Sequence, residues 1–249
     1  MPENSKQILQ IQTNLKSVQD TLHTLEEKYK RPRNSVHLLA VSKTKPSEDI
    51  LAAAQGGQTH FGENYLQEAL NKIEEIKITT EKLETSKILN SNLHWHFIGP
   101  TQKNKTRLIA ENFEWLHSLD RLVIAQRMNE QRPDSLPPLQ VCIQVNVDNE
   151  PSKAGVEINA VQSLAKALSK LKKIKLRGLM AIPQANNDTQ QQRNSFAKLR
   201  QQLEYLNAAG FDLDTLSMGM SGDLEAAVAE GSTIVRVGTA LFGKRLVKK

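Results

Sequence analysis

Cysteine is nearly missing from these 249 residues, and that scarcity is the first constraint on what the chain can be. The single Cys142 cannot close an internal disulfide. It lies in the apolar run Val141-Cys142-Ile143, where a small buried hydrophobe is expected. Aromatic residues make up only 4% of the chain, and no stretch interleaves them with lysine and arginine. A base-stacking platform is therefore not expected, although 33 basic against 27 acidic residues leave a net charge of +6. The two charge signs are mixed along the chain; the segment from Lys72 to Lys87 carries Glu74, Glu75, Glu81 and Glu84 among its lysines. No apolar stretch is long enough to cross a bilayer, and the opening Met1-Pro2-Glu3-Asn4-Ser5-Lys6 is polar rather than a signal-like apolar segment. A reducing, cytoplasmic location is the expectation. No glycine-rich G-x-G-x-x-G turn follows the first strand-like run, which argues against an open dinucleotide-binding sheet.

What is present is an alternation. Ile8, Ile11, Leu15, Val18, Leu22 and Leu25 repeat at steps of three and four, which predicts one helix within residues 1–30 with a single apolar stripe. Eight short runs of strand character follow: 37–42, 59–62, 95–99, 115–119, 139–147, 176–181, 215–218 and 233–237. Amphipathic segments such as 48–54, 161–171 and 193–207 lie between them, and Gly210 is placed as a helix stop. Parallel strands need a crossover of helix length, so the pattern predicts an α/β chain: a single (β/α)8 barrel domain with an extra N-terminal helix. The polar stretch 77–92 reads as an exposed extension, and Lys244–Lys249 as a solvated end.

Barrel chemistry gathers where the strands end. Strand one ends Ala40-Val41-Ser42-Lys43-Thr44-Lys45-Pro46, and alternation puts Lys43 on the face of Leu39 and Val41. If the chain stays extended, Lys45 shares that side and each amine disfavours protonation of the other, a route to an imine-forming nucleophile. A surface lysine pair just past a strand is the plainer alternative. Strand two ends Phe61-Gly62-Glu63-Asn64, with Asn64 able to donate and accept. In His94-Trp95-His96-Phe97-Ile98-Gly99-Pro100 the two histidines share a face. No further ligands complete a metal set, so His96 either touches a ligand or packs. Gln144 and Asn146 share a face of strand five and are candidates for polar lining below the mouth. After strands seven and eight, Ser221, Gly238 and Thr239 offer hydroxyls and backbone N–H groups of the kind that hold phosphate. Arg236 lies on the face of Gly238 and should point into the mouth, where a guanidinium requires an acceptor. Ordinary turn chemistry accounts for either glycine loop taken alone.

Taken together, these segments, with Arg177-Gly178-Leu179-Met180, Ser217-Met218-Gly219-Met220-Ser221 and Val235 through Gly243, resemble the pyridoxal phosphate (PLP) homeostasis protein family. That family is related in fold to the barrel domain of alanine racemase. The resemblance runs in one order from about Val36 to Gly243. It implies PLP held as a Schiff base on Lys43, with Lys45 as its basic neighbour. Ser221, Gly238 and Thr239 would hold the phosphate and Arg236 would face the pyridine nitrogen, while Asn64 and His96 carry over as further contacts. The implied function is intracellular buffering or delivery of PLP, possible recipients being PLP-dependent apo-enzymes, with no strong catalysis of its own. A narrow PLP-dependent racemase is the alternative, and a Schiff-base enzyme for a phosphorylated sugar is a third. No apolar seam marks a dimer, so a monomer is the expectation.

Overall fold

The structure, a computed structural model, describes residues 3–82, 93–148, 150, 154–184 and 186–243. Eight strands, β1 (His37–Val41), β2 (His60–Glu63), β3 (His94–Phe97), β4 (Trp115–Leu119), β5 (Leu139–Gln144), β6 (Ile174–Met180), β7 (Thr215–Ser217) and β8 (Ile234–Val237), pair in chain order. Every pairing is parallel, and β8 closes onto β1 with Leu39 opposite Arg236. The expected barrel is present. Strand five stops earlier than 147: after Gln144 the ladder is replaced by an isolated bridge between Val145 and Val156.

The pleat sends alternate residues to opposite faces, and both faces of a barrel sheet are buried. Outward side chains such as Phe61, Phe97, Leu116, Val141, Ile143 and Val235 join the helices in the main apolar core. Each fully buried side chain of this size contributes about 1.5–3 kcal/mol. Inward, a small separate cluster of Leu39, Trp115, Cys142, Met180 and Ile234 fills part of the barrel. The rest of the interior is polar: His96, His117, Ser217 and Arg236 are all buried there. Cys142 behaves as expected, fully buried with its thiol pushed up to about 12 by that burial.

The N-terminal stripe forms helix α1 (Glu3–Lys28), which buries Ile11, Leu15, Val18, Leu22 and Leu25, with Ile8 packed at the margin. It lies against the helices Ser47–Gln55, Leu224–Ala229 and Thr239–Phe242. The helix that follows β8 is only four residues long. Helix α1 therefore covers the seam where β8 meets β1, and Asn14 Nδ2 donates to Leu241 O at 2.9 Å there. The long helix Thr189–Ala208 begins on Asp188, whose side chain accepts from the N–H groups of Gln190 and Gln191, and Gly210 follows its end at φ +91°. Residues 77–82 continue the helix Leu66–Lys82, so the first part of the expected extension is helical. Residues 83–92 and 244–249 lie outside the described residues. Among the described residues no helix is long and apolar enough to cross a membrane.

Candidate functional site

The inward parity of the strands carries past their ends. On β1 it passes through Leu39 and Val41 to Lys43, on β2 through Gly62 to Asn64, and on β8 through Arg236 to Gly238. These positions meet at the C-terminal mouth in a cavity of about 310 Å³, which Ser221 and Thr239 also line. All six residues singled out as cofactor contacts are thus brought together. The volume sits at the lower end of the range for ligand cavities. Beside these six stands an apolar wall that was not expected from the sequence, formed by Ile98, Met180, Ile182 and Met220. Continuing the same parity two residues beyond β6 would have found Ile182.

The loop bearing Lys43 is clamped from outside the barrel. Lys72 is buried, and its ammonium donates to Ser42 O at 2.8 Å, Glu63 Oε1 at 2.9 Å and Glu68 Oε1 at 2.5 Å. Ser42 Oγ donates to Glu63 Oε1 at 2.7 Å, and the Thr44 N–H donates to Glu68 Oε1 at 2.5 Å. Carbonyl, hydroxyl and N–H groups on both sides of Lys43 are therefore fixed by one charged cluster. Burial pushes the Glu63 carboxyl up, against the pull of Lys72 and Ser42. Thr44 takes φ +65°, a left-handed conformation unusual for a β-branched residue, and Lys45 N donates to Ser42 O at 3.0 Å. The chain turns between the lysines rather than staying extended, yet both lysines line the mouth cavity. Lys45 also donates to Phe242 O at 2.8 Å, tying this loop to the last helix.

Arg236 has the acceptors a buried guanidinium needs. It donates to Ser217 O at 2.6 Å, Ser217 Oγ at 2.9 Å and Ala181 O at 2.9 Å. Burial lowers its pKa to about 10, which still leaves it a cation at neutral pH. Below Ser221 the turn is held by the Met220 N–H donating to Asp223 Oδ1 at 2.6 Å. Gly219 stands at φ +97°, where an added Cβ would lie 2.5 Å from Ala227 Cβ. On the opposite rim Gly99 lets β3 approach Asn64 so closely that a Cβ would lie 2.1 Å from the Asn64 carbonyl oxygen. Gly99→Ala is expected to lower stability by about 1–3 kcal/mol in urea unfolding, by overpacking against backbone that cannot move aside. The first N–H groups of the helix Thr239–Phe242 have no partner inside the helix and face the same end as Gly238.

Three residues do not come to the mouth. His96 is buried lower in the barrel, hydrogen-bonded to His60 at 2.9 Å and to His117 at 2.8 Å, so of its two readings the packed one holds. Gln144 donates to Ala154 O, and Asn146 is tied to the backbone of Glu150; neither lines the mouth cavity.

Against known proteins, residues 13–245 match the family model described as alanine racemase, N-terminal domain. A pyridoxal phosphate homeostasis protein of Vibrio cholerae is 49% identical over 235 residues, covering 94% of this chain and 96% of that one. This chain belongs to the pyridoxal phosphate homeostasis protein family. The family member of Escherichia coli (strain K12) is 45% identical over 235 residues, covering 93% and 95% of the two chains. Among solved structures, PipY of Synechococcus elongatus with PLP bound superposes with a TM-score of 0.78 at 35% identity, covering 94% of this chain and all of that one. The family's barrel is thus recovered from both sequence and fold.

Proposed function

We propose that this chain is a single-domain PLP carrier of the cytoplasm, which binds PLP in the mouth cavity and buffers or delivers it to PLP-dependent apo-enzymes. The observation that carries this reading is the convergence of Lys43, Asn64, Ser221, Arg236, Gly238 and Thr239 on one cavity. PLP presents an aldehyde, a phosphate and a pyridine nitrogen. The cavity offers a primary amine for the first, hydroxyls and backbone N–H groups for the second, and a guanidinium for the third. Family membership and the PLP-bound PipY relative support the same assignment.

When bound, PLP supplies an electron sink for reactions of amines. Arg236 works against that use. A cation beside the ring nitrogen disfavours its protonation and weakens the sink. A racemase of this barrel type needs a second acid/base opposite the lysine. Tyr65, the tyrosine nearest a strand end, is 47% exposed and is not among the described residues lining the cavity. The chain's groups are therefore suited to holding the cofactor rather than cycling protons across a substrate. A monomer suits a carrier whose mouth must meet other proteins.

Two experiments test this. The loaded protein, offered amino acids of either hand, is expected to leave enantiomeric ratios unchanged while restoring activity to a PLP-dependent apo-enzyme; steady racemisation abolished by Lys43→Ala would replace the carrier with the enzyme. Arg236→Leu is expected to weaken PLP retention by roughly 10-fold or more, the effect of about 1.5–3 kcal/mol for a lost charged hydrogen-bond donor. Equilibrium dialysis measures it, and unchanged affinity would remove Arg236 from the ring.

A further inference from the structure

A second cavity, of about 350 Å³, opens at the N-terminal end of the barrel, lined by His37, His60, His96, Trp115, Arg177 and Asp214 among others. From it a line of hydrogen bonds runs through the barrel interior to the mouth. His60 Nδ1 meets His96 Nε2 at 2.9 Å, and His96 Nδ1 meets His117 Nε2 at 2.8 Å. His117 Nδ1 meets Ser217 Oγ at 2.7 Å, and Arg236 donates to that Oγ at 2.9 Å. Each side chain comes from a different strand: β2, β3, β4, β7 and β8.

Donor chemistry gives this line a direction. A guanidinium only donates, so Ser217 Oγ accepts from Arg236. The Ser217 hydroxyl hydrogen then goes to His117 Nδ1, the acceptor paired with it among the described residues. Burial holds His117 neutral, with its pKa down at about 3, and lowers His96 well below the ordinary histidine value. A neutral imidazole has one N–H and one bare nitrogen. With Nδ1 accepting, the hydrogen of His117 sits on Nε2 and donates to His96 Nδ1. The same step makes His96 Nε2 the donor to His60 Nδ1. His60 is left with its hydrogen on Nε2 at the second cavity. The opposite polarity would strand the hydroxyl hydrogen of fully buried Ser217 without an acceptor, at a cost of about 1–3 kcal/mol.

We propose that Ser217, His117, His96 and His60 are positioning residues for Arg236, forming a one-way hydrogen-bond line that holds the guanidinium as a donor beneath the mouth and couples it to the cavity at the opposite end of the barrel. The effect on PLP rests on the function proposed above; the line itself does not. Asp223 and Cys142 also face Arg236, and His94 and His37 face His60. All four stay unchanged in the variants that test the line.

The test has two arms. In PLP-free protein labelled with ¹⁵N, long-range ¹⁵N–¹H correlation spectra at neutral pH read each tautomer without any cofactor. His60, His96 and His117 are expected to carry hydrogen on Nε2 and none on Nδ1. His60→Leu, which removes the terminal acceptor, is expected to move the ring signals of His117 two links away. His60→Asn, whose Oδ1 takes the place of Nδ1, is expected to restore them. A hydrogen on Nδ1 of His96 or His117 in the wild type, or His117 signals indifferent to His60→Leu, would overturn the line. In PLP-loaded protein, Ser217→Ala and His60→Leu are expected to shift the pH titration of the visible absorption band by roughly one unit, with His60→Asn near wild type. A titration unmoved in both would disconnect the line from the cofactor. If the wild type takes up no PLP, the carrier reading fails while the tautomer arm still decides the line.

Discussion

Lys72→Ala is expected to cost about 3–5 kcal/mol of folding stability, the range for removing one partner of a buried ion pair. The side chain of Lys72 is 6% exposed and that of Glu63 is fully buried, so neither charge has water to fall back on. Glu63 Oε2 is already without a hydrogen-bond partner among the described residues; with Lys72 gone, only Ser42 Oγ would face the other oxygen. The Glu63 carboxyl would then rise further, since its main counter-charge is lost while burial remains. A carboxyl whose folded pKa lies above its unfolded value binds its proton in the folded state first. The deficit of the variant should therefore shrink as pH falls towards 5 and grow as it rises towards 8. Urea unfolding at several pH values reads both size and slope. A flat deficit of about 1 kcal/mol would mean that the cluster is a surface pair in effect. The same substitution frees Ser42 O and loosens Glu68 beside Thr44, so PLP uptake should fall even where the fold survives.

The second large effect is acid sensitivity arising from histidine. Burial, with His94 and His37 adding to it, lowers His60 to about 4 from the ordinary 6.5. The unfolded chain gains this proton below about pH 6.5 and the folded chain only near 4, so stability is lost as pH falls through that interval. Partial exposure discounts the total to on the order of 2 kcal/mol. The buried carboxyls pull the other way: Glu63, Glu114, Asp49 and Asp223 are all raised, chiefly by burial. A comparison of wild type with His60→Asn cancels them. The wild type should lose more stability than the variant between pH 6.5 and 4 and match its slope above 7. Parallel curves throughout would mean that His60 is already protonated, or solvated, in the fold.

Much of the site was legible because one rule reaches it. Alternation along β1 and β8 puts Lys43, Arg236 and Gly238 on the inward face, and strand ends are where a barrel opens. Helix α1 was equally plain, since its stripe repeats over several turns. What stayed hidden depends on register and on backbone torsions. The step from His60 to His96 to His117 needs the pairing of Gly62 with His96 and of His96 with Trp115, which no single run of residues encodes. Nothing in the mixed charges of 72–87 marks Lys72 as buried; its partner Glu63 lies on another element. The two lysines of the β1 loop do line one cavity, but the turn at Thr44, φ +65°, that carries the chain between them is a torsion no residue pattern announces.

Lys43 is the residue on which PLP binding turns. The decisive measurement is borohydride reduction of the PLP-exposed protein, followed by peptide mapping by mass spectrometry beside Lys43→Ala. A pyridoxyl mass on Lys43 and a visible band lost on reduction are expected, with neither in the variant. Label on Lys45 or Lys72 instead, or a protein that stays colourless with PLP present, would contradict that assignment.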